Sequence, residues 1–215
     1  MIASVLQLSR RDVRLLRITD AYSLHRVVYS LYEDTRLDED KMASTSSGIL
    51  FADQGGDFYS RRVLLLADRY PSECIDGQFG QVTSKLIPSN FLEFQHYRFK
   101  IIINPTRRDN STRKIIPVKG REEITKWFCN RAATVWGFDA HHENISVDNI
   151  EILRFKNKHQ QLITMAQAHL HGLLTINHPD KFQKAFIQGL GRGRAFGCGL
   201  LQISPLKEPV FTEEN

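Results

Sequence analysis

Apolar and polar residues alternate loosely from Ile2 to Leu8, the pattern of a half-buried β-strand. The period then changes. From Ala21 to Tyr32 the apolar residues Leu24, Val27, Val28 and Leu31 recur at helical spacing and predict a helix with one buried stripe, for which Thr19 or Asp20 is a suitable N-cap. Asp38 to Ser47, charged and then small and polar, reads as a loop. Ile49 to Ala52 and Phe58 to Leu66, joined by Gln54-Gly55-Gly56-Asp57, predict a hairpin, and Val82 to Ile87 a further strand. Between the hairpin and that strand, Pro71, Gly77 and Gly80 interrupt any helical pattern, so no regular second helix is expected there.

The pattern restarts at Phe91. Phe94 to Asn104 is a strand, ended by Pro105 and a basic loop from Arg107 to Lys114. Arg121 to Trp136 is a helix with Ile124, Trp127, Phe128, Ala132 and Val135 on its apolar side. Ile145 to Phe155 and His169 to Ile176 are strands, Pro179 to Gln188 a second helix, and Leu200 to Ile203 the last strand. The order β-α-β-β-α-β is complete in this half and irregular in the first. The predicted class is α+β, with two tandem ferredoxin-like (RRM-like) units over residues 1–90 and 91–215.

Charge changes this picture by its distribution. The chain of 215 residues carries a formal net charge of +5. Residues 33–57 hold seven acids and two bases, whereas residues 98–126 hold nine bases and three acids. Basic charge is therefore local, as a face that binds a polyanion requires. The three cysteines, Cys74, Cys129 and Cys198, are odd in number and unpaired by spacing, which predicts free thiols in a reducing compartment. No long apolar N-terminal region or membrane-length apolar run is present, so a cytoplasmic location with no membrane contact is expected.

Four stretches carry candidate chemistry. Gly189-Leu190-Gly191-Arg192-Gly193-Arg194-Ala195-Phe196-Gly197-Cys198-Gly199 has five glycines in eleven residues, interleaved with Arg192 and Arg194. Such a backbone can approach a ligand closely and turn N–H groups toward phosphate. The loop joins a helix to a strand, the reverse of a dinucleotide fingerprint, and the competing reading is a glycine-rich helix cap and tight turn. Tyr22, His25, Arg26 and Tyr29 fall on one side of the first helix, where an imidazole, two phenols and a guanidinium can do acid–base work; the competing reading is packing tyrosines beside a solvated histidine. Arg154, Lys156 and Lys158 alternate along a hairpin arm as a rail for an RNA backbone, or as a solubilising tip. His141-His142-Glu143 reads as solvated, and His169 and His171 share a strand face with no third ligand at suitable spacing, so no catalytic metal is predicted.

The loop GLGRGRAFGCG fits the G-h-G-x5-G-h-G pattern (h hydrophobic) of the RAMP superfamily of CRISPR-associated proteins. With Leu173-Leu174-Thr175-Ile176-Asn177, Leu200-Leu201, Phe99 to Pro105, Ile116-Pro117 and Tyr22-Ser23-Leu24-His25-Arg26, the chain resembles the CasE family, the repeat-cleaving endoribonucleases of the type I-E Cascade complex. The resemblance implies tandem ferredoxin-like domains and metal-independent, cofactor-free cleavage of CRISPR repeat RNA beside its stem-loop. A 2′,3′-cyclic phosphate and a 5′-hydroxyl are the implied ends, and Cascade-type effector subunits the implied partners. It implies His25 as the central catalytic residue, with Tyr22 three residues earlier. It also implies RNA contacts for Arg26 and for the arm Arg154, Lys156 and Lys158; Gly189, Gly191, Arg192, Gly193 and Arg194 of the loop and the basic segment Arg107, Arg108, Arg113 and Lys114 are assigned to RNA on their own composition. The alternatives are a non-catalytic RNA-binding subunit and a nucleotide-using metabolic enzyme.

Overall fold

The computed structural model describes residues 1–34 and 47–206. The loop expected over 38–47 lies, apart from Ser47, outside the described residues. Strand β1 (Ile2–Ser9) buries alternate residues, Ile2, Ser4, Leu6 and Leu8, and so presents one face to a core. A short helix α1 (Arg10–Leu15) follows, which the apolar pattern did not reveal. Its signal is a capping box: Ser9 Oγ accepts from the Asp12 N–H at 3.1 Å while the Ser9 N–H donates to the Asp12 carboxylate at 2.9 Å. Helix α2 (Ala21–Ser30) buries Leu24, Val27 and Val28 as predicted.

Strands β2 (Leu50–Gly56), β3 (Ser60–Ala67) and β4 (Gln81–Leu86) complete the first sheet, in the order β2-β3-β1-β4 with antiparallel pairing throughout. That is the strand order of a ferredoxin-like unit, reached without a second helix. Residues 68–80 cross as irregular chain instead, and Ile75, buried and turned inward at a bridge to Phe79, joins the core beneath α2. The breakers Pro71, Gly77 and Gly80 thus remove the helix but not the topology.

The second sheet runs β11-β5-β10-β8, with β9 paired to β10. Its strands are β5 (His96–Ile103), β8 (Phe138–Asp139), β9 (Ile145–Lys156), β10 (Leu162–Ile176) and β11 (Gln202–Pro205). The basic loop after β5 is itself a hairpin of β6 (Thr106–Arg108) and β7 (Ile115–Pro117). β9 and β10 form one long arm, with β10 starting seven residues before the stretch predicted for it, because Leu162 to Ala168 lacks the strict apolar–polar alternation of a half-buried strand. Helix α3 (Arg121–Arg131) continues as a π turn over Ala132–Trp136 and ends at Gly137, whose φ of 80° provides the left-handed cap. Helix α4 (Pro179–Gln188) begins on its proline and spans the residues predicted.

Two cores result. Leu6, Leu8, Leu24, Val28, Leu31 and Val63 anchor the smaller one beneath α2. Phe99, Ile101, Phe128, Phe138 and Phe182 anchor the larger one, which also takes in Leu50, Ala52 and Leu66 from the first sheet. The halves therefore share buried apolar surface.

Candidate active site and nucleic-acid interface

The start of α2 is fixed by Asp20, whose carboxylate accepts from the Ser23 N–H at 2.8 Å, with the Ser23 hydroxyl accepting from the Asp20 N–H at 2.9 Å. This lock sets the direction in which His25 leaves the helix. The His25 ring stands 4.1 Å from the Tyr29 ring, centroid to centroid, and 6.0 Å from Tyr22 with the planes 23° apart. Tyr29 is tied in turn, its phenol oxygen accepting from Ser47 Oγ at 2.9 Å. The structure brings these three rings together, whereas Arg26 is exposed and takes part in none of these ring contacts.

The fourth ring was not anticipated from sequence. Phe196, in the glycine-rich loop, lies 5.8 Å from His25 and 4.6 Å from Phe155 of β9. The helix of the first half and the loop of the second, picked out separately, thus meet at the imidazole. Phe196 is the only aromatic residue in that loop, which is the signal that was available.

The loop is a packed joint. The N–H groups of Leu190, Phe196, Cys198 and Gly199 donate to the carbonyls of Gly199, Gly193, Gly193 and Ile102 at 2.7–3.2 Å, so these four are engaged within the protein. The glycines answer close approach. A Cβ on Gly199 would sit 2.5 Å from the Leu190 carbonyl oxygen, and one on Gly193 2.6 Å from Met165. A Cβ on Gly189 would sit 2.6 Å from Leu50 of β2. Buried Gln167 of β10 pins the loop from beneath, donating to the Phe196 carbonyl at 3.0 Å and to Cys198 Sγ at 3.3 Å. Burial pushes the Cys198 thiol up to about 12. Arg194 donates to the Gln188 carbonyl at 2.6 Å, closing the end of α4, while Arg192 remains exposed. The idea of an N–H cradle for phosphate is corrected for these four groups, which the turn itself consumes.

The other basic residues lie elsewhere. Arg154 and Lys156 project from β9 on the face opposite Phe155, and Lys158 is in the turn at the tip; all three are exposed. Only Arg154 and Lys156 share a strand face, and that face is turned away from the side of the arm that meets the histidine cluster. Arg107 and Arg108 stand on β6, and Arg113 and Lys114 at the turn of that hairpin. Asp109 shapes this turn. Its carboxylate accepts from the Thr112 N–H and from the hydroxyls of Ser111 and Thr112 at 2.7–2.8 Å, which lowers its pKa to about 2. His169 and His171 each face a carboxylate across the arm, Glu151 at 2.9 Å and Asp148 at 2.8 Å. Among the described residues, no group of three or more His, Cys, Asp and Glu is placed to hold a metal ion, and no helix is long and apolar enough to cross a membrane.

Two antiparallel ferredoxin-like sheets thus meet at the G-h-G-x5-G-h-G loop between α4 and β11, and the helix histidine packs against that loop. The chain belongs to the CRISPR associated protein family, which it matches over residues 1–205. Its fold is that of the CRISPR endoribonuclease Cse3 bound to a 19-nucleotide RNA, with a TM-score of 0.77 at 21% identity, over 95% of this chain and 100% of that one. Thermus thermophilus Cse3, bound to an RNA representing a pre-cleavage complex, gives a TM-score of 0.74 at 19% identity, over 95% of this chain and 98% of that one. A chain of a CRISPR RNA-guided surveillance complex gives 0.67 at 19% identity, over 95% of this chain and all of its own. No curated protein matches the chain.

Proposed function

We propose that the protein is an endoribonuclease that cleaves CRISPR precursor RNA beside the repeat stem-loop and hands the product to a Cascade-type effector complex. The observation that carries this reading is the imidazole of His25, held between Tyr29 and Phe196 where α2 meets the glycine-rich loop. The likeness to RNA-bound Cse3 and to a surveillance-complex chain supports the substrate class and the partners. In this reading residues 1–90 carry the catalytic helix, and residues 91–215 the RNA-gripping arm and the loop.

The RNA supplies its own nucleophile. The 2′-oxygen bonds to the adjacent phosphorus as its proton leaves, the bond from phosphorus to the 5′-oxygen breaks, and that oxygen gains a proton. His25 moves protons in this exchange, an imidazole being the side chain whose ordinary pKa, about 6.5, suits both transfers near neutrality. Tyr22 offers a hydroxyl that can hydrogen-bond and orient the 2′-hydroxyl. Arg26 and the exposed Arg192 offset phosphate charge as the transition state gains it. The balance of atoms and protons closes without a metal ion. The products carry a 2′,3′-cyclic phosphate and a 5′-hydroxyl.

A 2′-deoxy nucleotide immediately 5′ of the cut tests this mechanism. It is expected to abolish cleavage while the RNA remains bound. Cleavage that proceeds normally on the deoxy substrate would rule out attack by the 2′-hydroxyl.

A further inference from the structure

Beyond the histidine cluster, the glycine-rich loop also borders a depression of about 480 Å³, walled by the end of α3, by α4 and by the loop itself. Arg131, Lys181, Lys184, Arg192 and Arg194 line it, and no Asp or Glu does. Lys181 and Lys184 are three residues apart on one side of α4, and the Arg131 guanidinium lies 5.9 Å from the centre of the Trp136 ring, which forms part of the floor. Among the described residues none of the five cations makes an ion pair; Arg194 spends one donor on the Gln188 carbonyl. Like charges gathered around one concavity repel each other. Exposed to water, that repulsion costs the fold little, but it leaves a positive potential that a polyanion can neutralise.

We propose that this depression holds the phosphate backbone of the RNA, on a stretch of strand continuous with the one that reaches His25. The loop links the two places. Gly189, Gly191, Arg192 and Arg194 border the depression, and Phe196, two residues beyond Arg194, touches the imidazole. Lys181, Lys184, Arg192 and Arg194 fall within one stretch of α4 and the loop, and Arg131 joins them from the end of α3, so helix packing completes the cationic site. The inference rests on the RNA-processing reading. A free nucleoside polyphosphate offers the same chemistry, so the test must separate it from RNA.

The test is the triple variant Arg131→Gln, Lys181→Gln, Lys184→Gln, studied as the whole chain. All three residues are exposed, so an unchanged unfolding temperature is expected. Binding is measured on the host's repeat RNA made uncleavable by the 2′-deoxy substitution, across a salt series. Affinity at physiological salt is expected to fall about tenfold or more, with the slope of log K against log salt shallower by about two to three. Lys181→Arg with Lys184→Arg is expected to retain both. Unchanged affinity and slope in the triple variant would overturn the proposal. So would loss of ATP binding by that variant with RNA binding intact, which would assign the depression to a free polyphosphate. Because the readout is binding, a wild-type protein that binds cleavable repeat RNA without cutting it contradicts the endonuclease reading and leaves this site standing.

Discussion

The glycine-rich loop and the β9–β10 arm both invite a phosphate-binding reading in sequence, and the fold uses them differently. In the loop, four backbone N–H groups are consumed internally, Arg194 closes the end of α4, and the glycines stand where a Cβ would meet Leu190, Met165 or Leu50. On the arm, Arg154, Lys156 and Lys158 are exposed and make no ion pair among the described residues. Glycine density therefore measures how closely backbones approach. Exposed, unpaired cations are the better mark of a surface built for a polyanion.

The largest effect that sharpens this contrast is expected from Gly199→Val. The residue has φ +87° and a Cβ there would lie 2.5 Å from a backbone oxygen, so a loss of about 3 kcal/mol or more is expected in denaturant unfolding, together with loss of RNA cleavage. Gly191→Ala is the internal reference. Its Cβ would meet only Ile103, at 3.6 Å, leaving mainly the left-handed backbone cost of about 1–2 kcal/mol. Equal losses from the two would break the claim that close approach dictates the glycines.

The arm should behave in the opposite way. Replacing Arg154, Lys156 and Lys158 together by Gln is expected to leave stability within about 0.5 kcal/mol. The same variant should bind repeat RNA about 10- to 100-fold more weakly at low salt and lose about two to three from the salt slope. An unfolding midpoint that falls while affinity holds would reverse the roles assigned to loop and arm.

A smaller effect is expected at Tyr29, whose ring touches His25 and whose hydroxyl is held by Ser47. Tyr29→Leu should lower kcat about tenfold with KM little changed, since a misplaced imidazole slows proton transfer without removing an RNA contact. Tyr29→Phe, which keeps the ring, should recover most of the rate. Equal defects in the two variants would instead point to the hydroxyl.

The smallest effect is local and pH-dependent. The Asp109 pKa of about 2 lies below its ordinary value of about 3.9 in the unfolded chain, so its support of the β6–β7 turn is complete above that value and fades as pH falls toward 2. Hydrogen exchange at the Thr112 amide should accelerate relative to neighbouring hairpin amides over that window. Protection that stays flat would remove Asp109 as the organiser of the turn.

Much of this was legible in the chain because periodicity reports burial. Helix α4 and the buried stripe of α2 agree with the structure, as do the missing helix between β3 and β4 and the nearness of the Tyr22, His25 and Tyr29 rings, from which Arg26 stands apart. What was not legible depends on contacts made across the fold. Helix α1 buries no residue and shows only its Ser9–Asp12 cap. The outer part of β10, Leu162 to Ala168, is largely apolar without period-two alternation, so only its pairing with β9 reveals it as strand. Phe196 reaches His25 only because the loop folds back over β2, and Arg131, Lys181 and Lys184 converge through helix packing. Four of the five cations there lie in the one stretch from Lys181 to Arg194, and only the addition of Arg131 from α3 needs the fold.

The measurement that tests the central claim most directly is cleavage of the host's own CRISPR repeat RNA by the purified protein in excess EDTA, comparing wild type with His25→Ala and analysing the product ends. The expected result is one cut beside the stem-loop leaving a 2′,3′-cyclic phosphate, slowed about 10²- to 10⁴-fold in the variant while its RNA affinity persists. Cleavage by His25→Ala at the wild-type rate, or wild-type protein that binds the repeat and never cuts it, would contradict the account.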